Sequence, residues 1–113
     1  MSLQNRILVL DNGGYTCKVG WSTDANPRSI ANYAVRPKRD TKIYVADEVD
    51  EVTDTSGMYF RRPMEKGVVL NWDLQSQIWN RILNMMETTP KDTNLMLLEA
   101  PFALQVRVLS GMA

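Results

Sequence analysis

The chain contains no histidine and only one cysteine in 113 residues. Without an imidazole, the usual general base for a Ser or Cys nucleophile is missing. A single thiol cannot build a disulfide framework, and with no histidine beside it the common zinc sites are excluded as well. Charge of one sign is also lacking, because 13 basic and 13 acidic side chains cancel. No electrostatic footprint therefore argues for direct DNA or RNA binding. No apolar run approaches the ~20 residues a membrane span needs. The N-terminus carries no charged region followed by a long apolar stretch, so no secretory signal is expected. These gaps lead to the expectation of a reduced, soluble, intracellular domain.

What is present suits one folded domain. Apolar residues make up 44% of the chain and charged residues 23%, ordinary globular values that argue against disorder. Ile7-Leu8-Val9-Leu10 reads as a strand buried on both faces. Asp11-Asn12-Gly13-Gly14 is a turn, and Tyr15 to Trp21 resumes a strand pattern, so the pair predicts a hairpin. Ser29 to Val35 predicts a third strand, ended by Pro37. The basic cluster Arg36-Pro37-Lys38-Arg39 suits a solvated loop or a nuclear-targeting signal. Asp47, Glu48, Asp50, Glu51 and Asp54 make an acidic stretch that suits a solvated insertion with small strands or a helical turn, or a surface for a basic partner. Met58-Tyr59-Phe60 suits a short strand.

Asn71 is a good N-cap, and Ile78, Trp79, Ile82, Leu83 and Met86 fall on one stripe, which predicts a helix over about Trp72 to Met86, with the Trp and Met residues in the core. Thr89-Pro90 ends it. Leu95-Met96-Leu97-Leu98 predicts a buried strand, closed by Glu99-Ala100-Pro101. Residues 104–113 fit either period, and a helix is the preferred reading. A helical crossover between short apolar strands implies an α/β chain whose sheet has a parallel part.

One constellation carries chemistry: Asp11-Asn12-Gly13-Gly14-Tyr15-Thr16-Cys17-Lys18. A tight glycine turn can point consecutive backbone N–H groups at an anion. Glycine also lets a ligand approach the backbone closely. Lys18 on the returning strand can neutralise phosphate charge, and Asp11 at the strand end can hold a hydrated Mg²⁺. From spacing alone the plainer readings stay open. Asn-Gly is the commonest hairpin turn, Lys18 suits an exposed strand lysine, and Cys17 suits a buried small hydrophobe. Paired carboxylates occur only in the acidic stretch, where nothing suggests a cleft.

Several spaced motifs, in order, resemble actin over residues 7–102. They are Leu8-Val9-Leu10-Asp11-Asn12-Gly13, Cys17-Lys18-Val19-Gly20-Trp21, Pro27-Arg28, Arg36-Pro37-Lys38, Arg62 to Asp73 with Ile78-Trp79, and Leu97-Leu98-Glu99-Ala100-Pro101. Gly14-Tyr15 departs from the usual Ser-Gly of actin's first phosphate loop, and the segment between Arg39 and Pro63 is shorter than actin's. Asp54 to Phe60, followed by Pro63, resembles the actin-related protein six class of that superfamily.

The resemblance implies half of an actin-like ATPase fold of ribonuclease H-like type. That half is a mixed five-stranded sheet, three strands antiparallel, with helices and a small inserted subdomain. It divides the chain into residues 1–39 and 63–113 of the first subdomain, with 40–62 as the insertion. It also implies that the chain covers only the opening part of an actin-length protein. Asp11, Gly13, Gly14, Tyr15 and Lys18 are then expected at the phosphates of Mg·ATP, with Asp11 on Mg²⁺ through water. Binding by this chain alone is expected to be weak or nil, and no catalytic residue is assigned.

For the whole protein, the resemblance implies a nuclear, non-enzymatic scaffold subunit of a chromatin-remodelling complex that exchanges a histone variant. Remodeller subunits are the expected partners, contact with nucleosomes is indirect, and neither membrane nor direct DNA binding is expected. A cytoskeletal, cytoplasmic protein with ATP-dependent polymerisation is the alternative. Filaments are not expected, given the short insertion. Val106, Val108, Leu109 and Met112 are expected to pack on further chain or on a partner.

Overall fold

Five strands place Ile7-Leu8-Val9-Leu10 at the centre of the larger sheet of this computed structural model, which describes residues 6–53, 57–98 and 106–110. Strand β1 (Ile7–Asn12) pairs antiparallel with β2 (Thr16–Trp21), and β2 with β3 (Arg28–Ala31). A second sheet follows, made by β4 (Ala34–Arg36) flanked by β5 (Tyr44–Val45) and β6 (Tyr59–Arg61). A small hairpin joins β7 (Met64–Glu65) to β8 (Val68–Val69). Its Lys66-Gly67 turn has φ of 52° and 79°, the doubly positive geometry that matches strand twist and suits glycine second. Helix α1 (Trp72–Met85) crosses back to β9 (Asn94–Leu98), which lies parallel to β1. Strand β10 (Val106–Ser110) closes the edge antiparallel to β9. The large sheet therefore runs β10-β9-β1-β2-β3.

The core lies between this sheet and α1. Leu8, Leu10, Cys17, Val19, Ile30, Leu95 and Leu97 face Leu74, Ile78, Trp79, Ile82 and Leu83 of the helix. The apolar stripe makes the helix profitable to bury, and its N-cap is as expected: Asn71 Oδ1 accepts the Leu74 N–H at 3.1 Å. The helix ends without glycine. Glu87 takes φ 58° while its N–H donates to Asn84 and that of Thr88 to Leu83, the paired bonds of a Schellman end. The acidic segment Ala46–Glu51 is a 3-10 turn tied to α1 by Asp47, which receives Arg81 Nε at 2.7 Å and Nη2 at 2.9 Å. That bidentate bond from Arg81 holds the Asp47 carboxyl below its ordinary range.

Four expectations are corrected. Trp72 is not in the core: it stands exposed on the first turn of α1, edge-on to the buried Trp79 at 6.1 Å. Strand β1 is not buried on both faces, because Ile7 and Val9 stay half-exposed while Leu8 and Leu10 are covered by α1. The third strand is two strands in two sheets, because Asn32 turns inward to bond the first hairpin and breaks the ladder. Residues 106–110 form β10 and not a helix, since the free edge of β9 offers a full row of backbone partners. Met112 and the Glu99-Ala100-Pro101 close lie outside the described residues.

Candidate functional site

The turn between β1 and β2 sits at the carboxyl end of β1, beside the carboxyl end of parallel β9. In open α/β sheets this is the end where ligands bind. Cross-strand register places Asp11 opposite Lys18. Both are exposed on the sheet face away from α1, where they line a groove of about 270 Å³ with Val9, Gly20, Trp21, Asp24, Pro27 and Leu98. One cation, Lys18, and two carboxylates, Asp11 and Asp24, thus line a groove that runs along the sheet face from the strand ends toward Trp21.

Gly13, Gly14 and Tyr15 play separate parts. The Gly13 N–H donates to Thr16 O at 3.0 Å and to Asp11 O at 3.1 Å, so it closes the hairpin and does not face outward. A Cβ at Gly13 would lie 2.5 Å from that Thr16 oxygen, so only glycine fits. At Gly14 a Cβ would meet nothing within 4 Å. The N–H groups of Gly14 and Tyr15 have no acceptor among the described residues. The Tyr15 ring is exposed and stacks beneath the Arg62 guanidinium, 4.5 Å from its centroid.

Beneath the turn lies a set of buried amides that sequence reasoning missed. Asn12 Oδ1 accepts Trp79 Nε1 at 3.0 Å and Cys17 Sγ at 3.1 Å, while Asn12 Nδ2 donates to Gln75 Oε1 at 3.0 Å and Met64 Sδ at 3.1 Å. Gln75 Nε2 donates to Asn32 Oδ1 at 2.8 Å, and Asn32 Nδ2 to Gly13 O at 2.7 Å. The Asn32 backbone N–H donates to Tyr15 O at 2.8 Å. A signal for this existed in the sequence: Gln75 lies three, four and seven residues before Ile78, Trp79 and Ile82, a polar group on the apolar stripe.

Chemically, the turn can hold an anion with two backbone donors and the Lys18 ammonium near it. Asp11 can reach a hydrated cation shared with that anion. No group of three or more metal-ligating side chains occurs among the described residues, so a divalent ion here would depend on ligand oxygens and water. Cys17 is no nucleophile: burial first, then the Asp11 charge, pushes its thiol up to about 12.

Residues 2–107 match the family described as Actin. The chain is 39% identical over 101 residues to Actin-like protein ARP6 of Cryptococcus neoformans, covering 87% of this chain and 21% of that protein. It is 42% identical over 105 residues to Actin-related protein 6 of Neurospora crassa, with coverage of 86% and 23%. With Actin-related protein 6 of indica rice it shares 34% over 99 residues, with coverage of 85% and 23%. The chain thus spans less than a quarter of the length of these three relatives. The mixed sheet, its helical crossover and the Asp11-to-Lys18 hairpin fit this match, and the chain belongs to the actin family, within which it resembles the actin-related protein 6 group.

Proposed function

We propose that the protein is a nucleotide-binding scaffold subunit of a nuclear complex that remodels chromatin by exchanging a histone variant. The observation that carries the nucleotide part is the turn itself: Gly14 and Tyr15 N–H groups without acceptors among the described residues, at the carboxyl ends of β1 and β9, in the hairpin that pairs Asp11 with Lys18. The ligand class is a Mg²⁺-bound nucleotide polyphosphate, ATP in the family resemblance. Lys18 would balance phosphate charge and Asp11 would orient the hydrated ion. When bound, Mg·ATP supplies the charge that these groups are arranged to meet. The scaffold part rests on the resemblance to the actin-related protein 6 group. A pocket that holds a nucleotide covers most of its surface, and this chain supplies one wall, so it binds Mg·ATP weakly or not at all by itself.

Affinity purification of the full-length protein from nuclear extract tests the assignment. Recovery with the ATP-driven motor of a remodeller and with a variant histone is expected. Recovery with filament or vesicle-coat proteins and no remodeller subunit would overturn the scaffold role and leave the fold unaffected.

A further inference from the structure

The orientation of every amide in the buried set beneath the turn is fixed from both ends. The Gly13 carbonyl can only accept, and the Trp79 indole N–H can only donate. The Asn12 atom it meets must therefore be the carbonyl oxygen, which turns Nδ2 toward Gln75 and Met64. Gln75 must then receive with Oε1, which turns Nε2 onto Asn32 Oδ1. Asn32 must in turn present Nδ2 to the Gly13 carbonyl, and that nitrogen also reaches Asn12 Oδ1 at 3.4 Å. The result is a directional relay: Trp79 to Asn12 to Gln75 to Asn32 to Gly13. Asn32 and Gln75 are fully buried and Asn12 nearly so, where an unpartnered amide is costly.

The relay ends on the backbone of the turn, and peptide planarity carries its effect outward. In a trans peptide the C=O of one residue and the N–H of the next point in opposite directions. Drawing the Gly13 carbonyl inward onto Asn32 therefore directs the Gly14 N–H outward. That is the donor left without an acceptor among the described residues. The Asn32 backbone N–H fixes Tyr15 O in the same way at the other side of the turn.

We propose that Gln75 and Asn32 are positioning residues for the phosphate turn, holding the Gly14 N–H toward the anion through the amide relay that runs from Trp79 and Asn12 to the Gly13 carbonyl. The anion's identity rests on the nucleotide reading above; the positioning of the turn does not. The test uses full-length protein carrying Gln75→Met, which keeps the volume and removes the amide, and Trp79→Phe, which removes the indole donor at one end of the relay together with some buried ring volume. Hydrogen exchange without ligand is measured on the Gly13 amide and on the α1 amides from Ile78 to Met85. At least tenfold faster exchange at Gly13 is expected in Gln75→Met, with the helix amides unchanged, and a smaller effect of the same kind in Trp79→Phe. Mg·ATP affinity is expected to fall about tenfold in Gln75→Met, while adenosine, which lacks phosphates, binds as in wild type. Unchanged Gly13 exchange in both variants overturns the proposal, as does a uniform rise that includes the helix. Wild-type protein with no affinity for Mg·ATP, combined with selective loosening of Gly13, supports the relay and defeats only the nucleotide reading.

Discussion

Cys17 is a fully buried thiol that donates to Asn12 Oδ1, and burial pushes its pKa from the ordinary 9.0 to about 12. A raised folded-state value means the neutral thiol contributes stability in full below about 9.0, and that this contribution is lost as pH rises toward about 12. Alkaline titration of the full-length protein, followed by its unfolding midpoint, should therefore fall more steeply between those limits than in Cys17→Ala. A disulfide reagent at pH 8 should modify Cys17 only at the rate of unfolding; fast modification of the folded protein would contradict the burial argument. Cysteine burial was readable from the alternation of Cys17 and Val19 against Thr16 and Lys18. The partnership of Asn12, Asn32 and Gln75 was not, since polar side chains 20 and 43 residues apart meet only after two sheets and a helix have been assembled.

Helix α1 shows how local chemistry and tertiary context divide the work. Its start was legible because Asn71 caps it and its stripe repeats at helical spacing. Its end is less economical, for Glu87 occupies the left-handed position at φ 58° that favours glycine. Because Glu87 is exposed, Glu87→Gly should relieve strain of about 1 kcal/mol without disturbing packing. A higher urea midpoint with an unchanged m-value is the expected result, and a lower one would show that the Glu87 side chain has a stabilising contact. The β-strand of residues 106–110 illustrates the opposite case. Leu104, Val106 and Val108 suit a strand while Leu104, Val108, Leu109 and Met112 suit a helix, so the segment's own pattern could not decide. The edge of β9 decided it. Likewise the break between β3 and β4 is invisible in a continuous β-prone run, since it comes from Asn32 bonding inward.

At the scale of the whole molecule, the small sheet of β5, β4 and β6 and the 3-10 turn from Ala46 to Glu51 form a compact unit tied to α1 by the Asp47–Arg81 pair. Compared with actin, the segment from Arg39 to Pro63 is short, and four carboxylates lie within Asp47 to Glu51. Three of these carboxylates have a cation beside them, Asp47 with Arg81 and Glu48 and Glu51 each 3.9 Å from Lys42, so the case against self-association rests on the short segment, which leaves little extended loop to engage a neighbouring subunit. Full-length protein should therefore stay in the supernatant under salt conditions that pellet filamentous actin; ordered filaments in the pellet would refute this.

The parallel pairing of β1 with β9 also has a consequence for the order of assembly. Ile7 is the register partner of Asn94, so the central strand of the sheet is made long before its second neighbour exists. At ~5–20 residues per second, a growing chain waits on the order of several seconds to well over ten between the two. During that interval the β1–β2 hairpin can close, but the opposite edge of Ile7-Leu8-Val9-Leu10 remains an unpaired apolar ribbon. Such edges recruit foreign strands. Newborn protein is thus most exposed to misassociation before α1 and β9 leave the ribosome, and a chaperone that shields short apolar strands would act in that window.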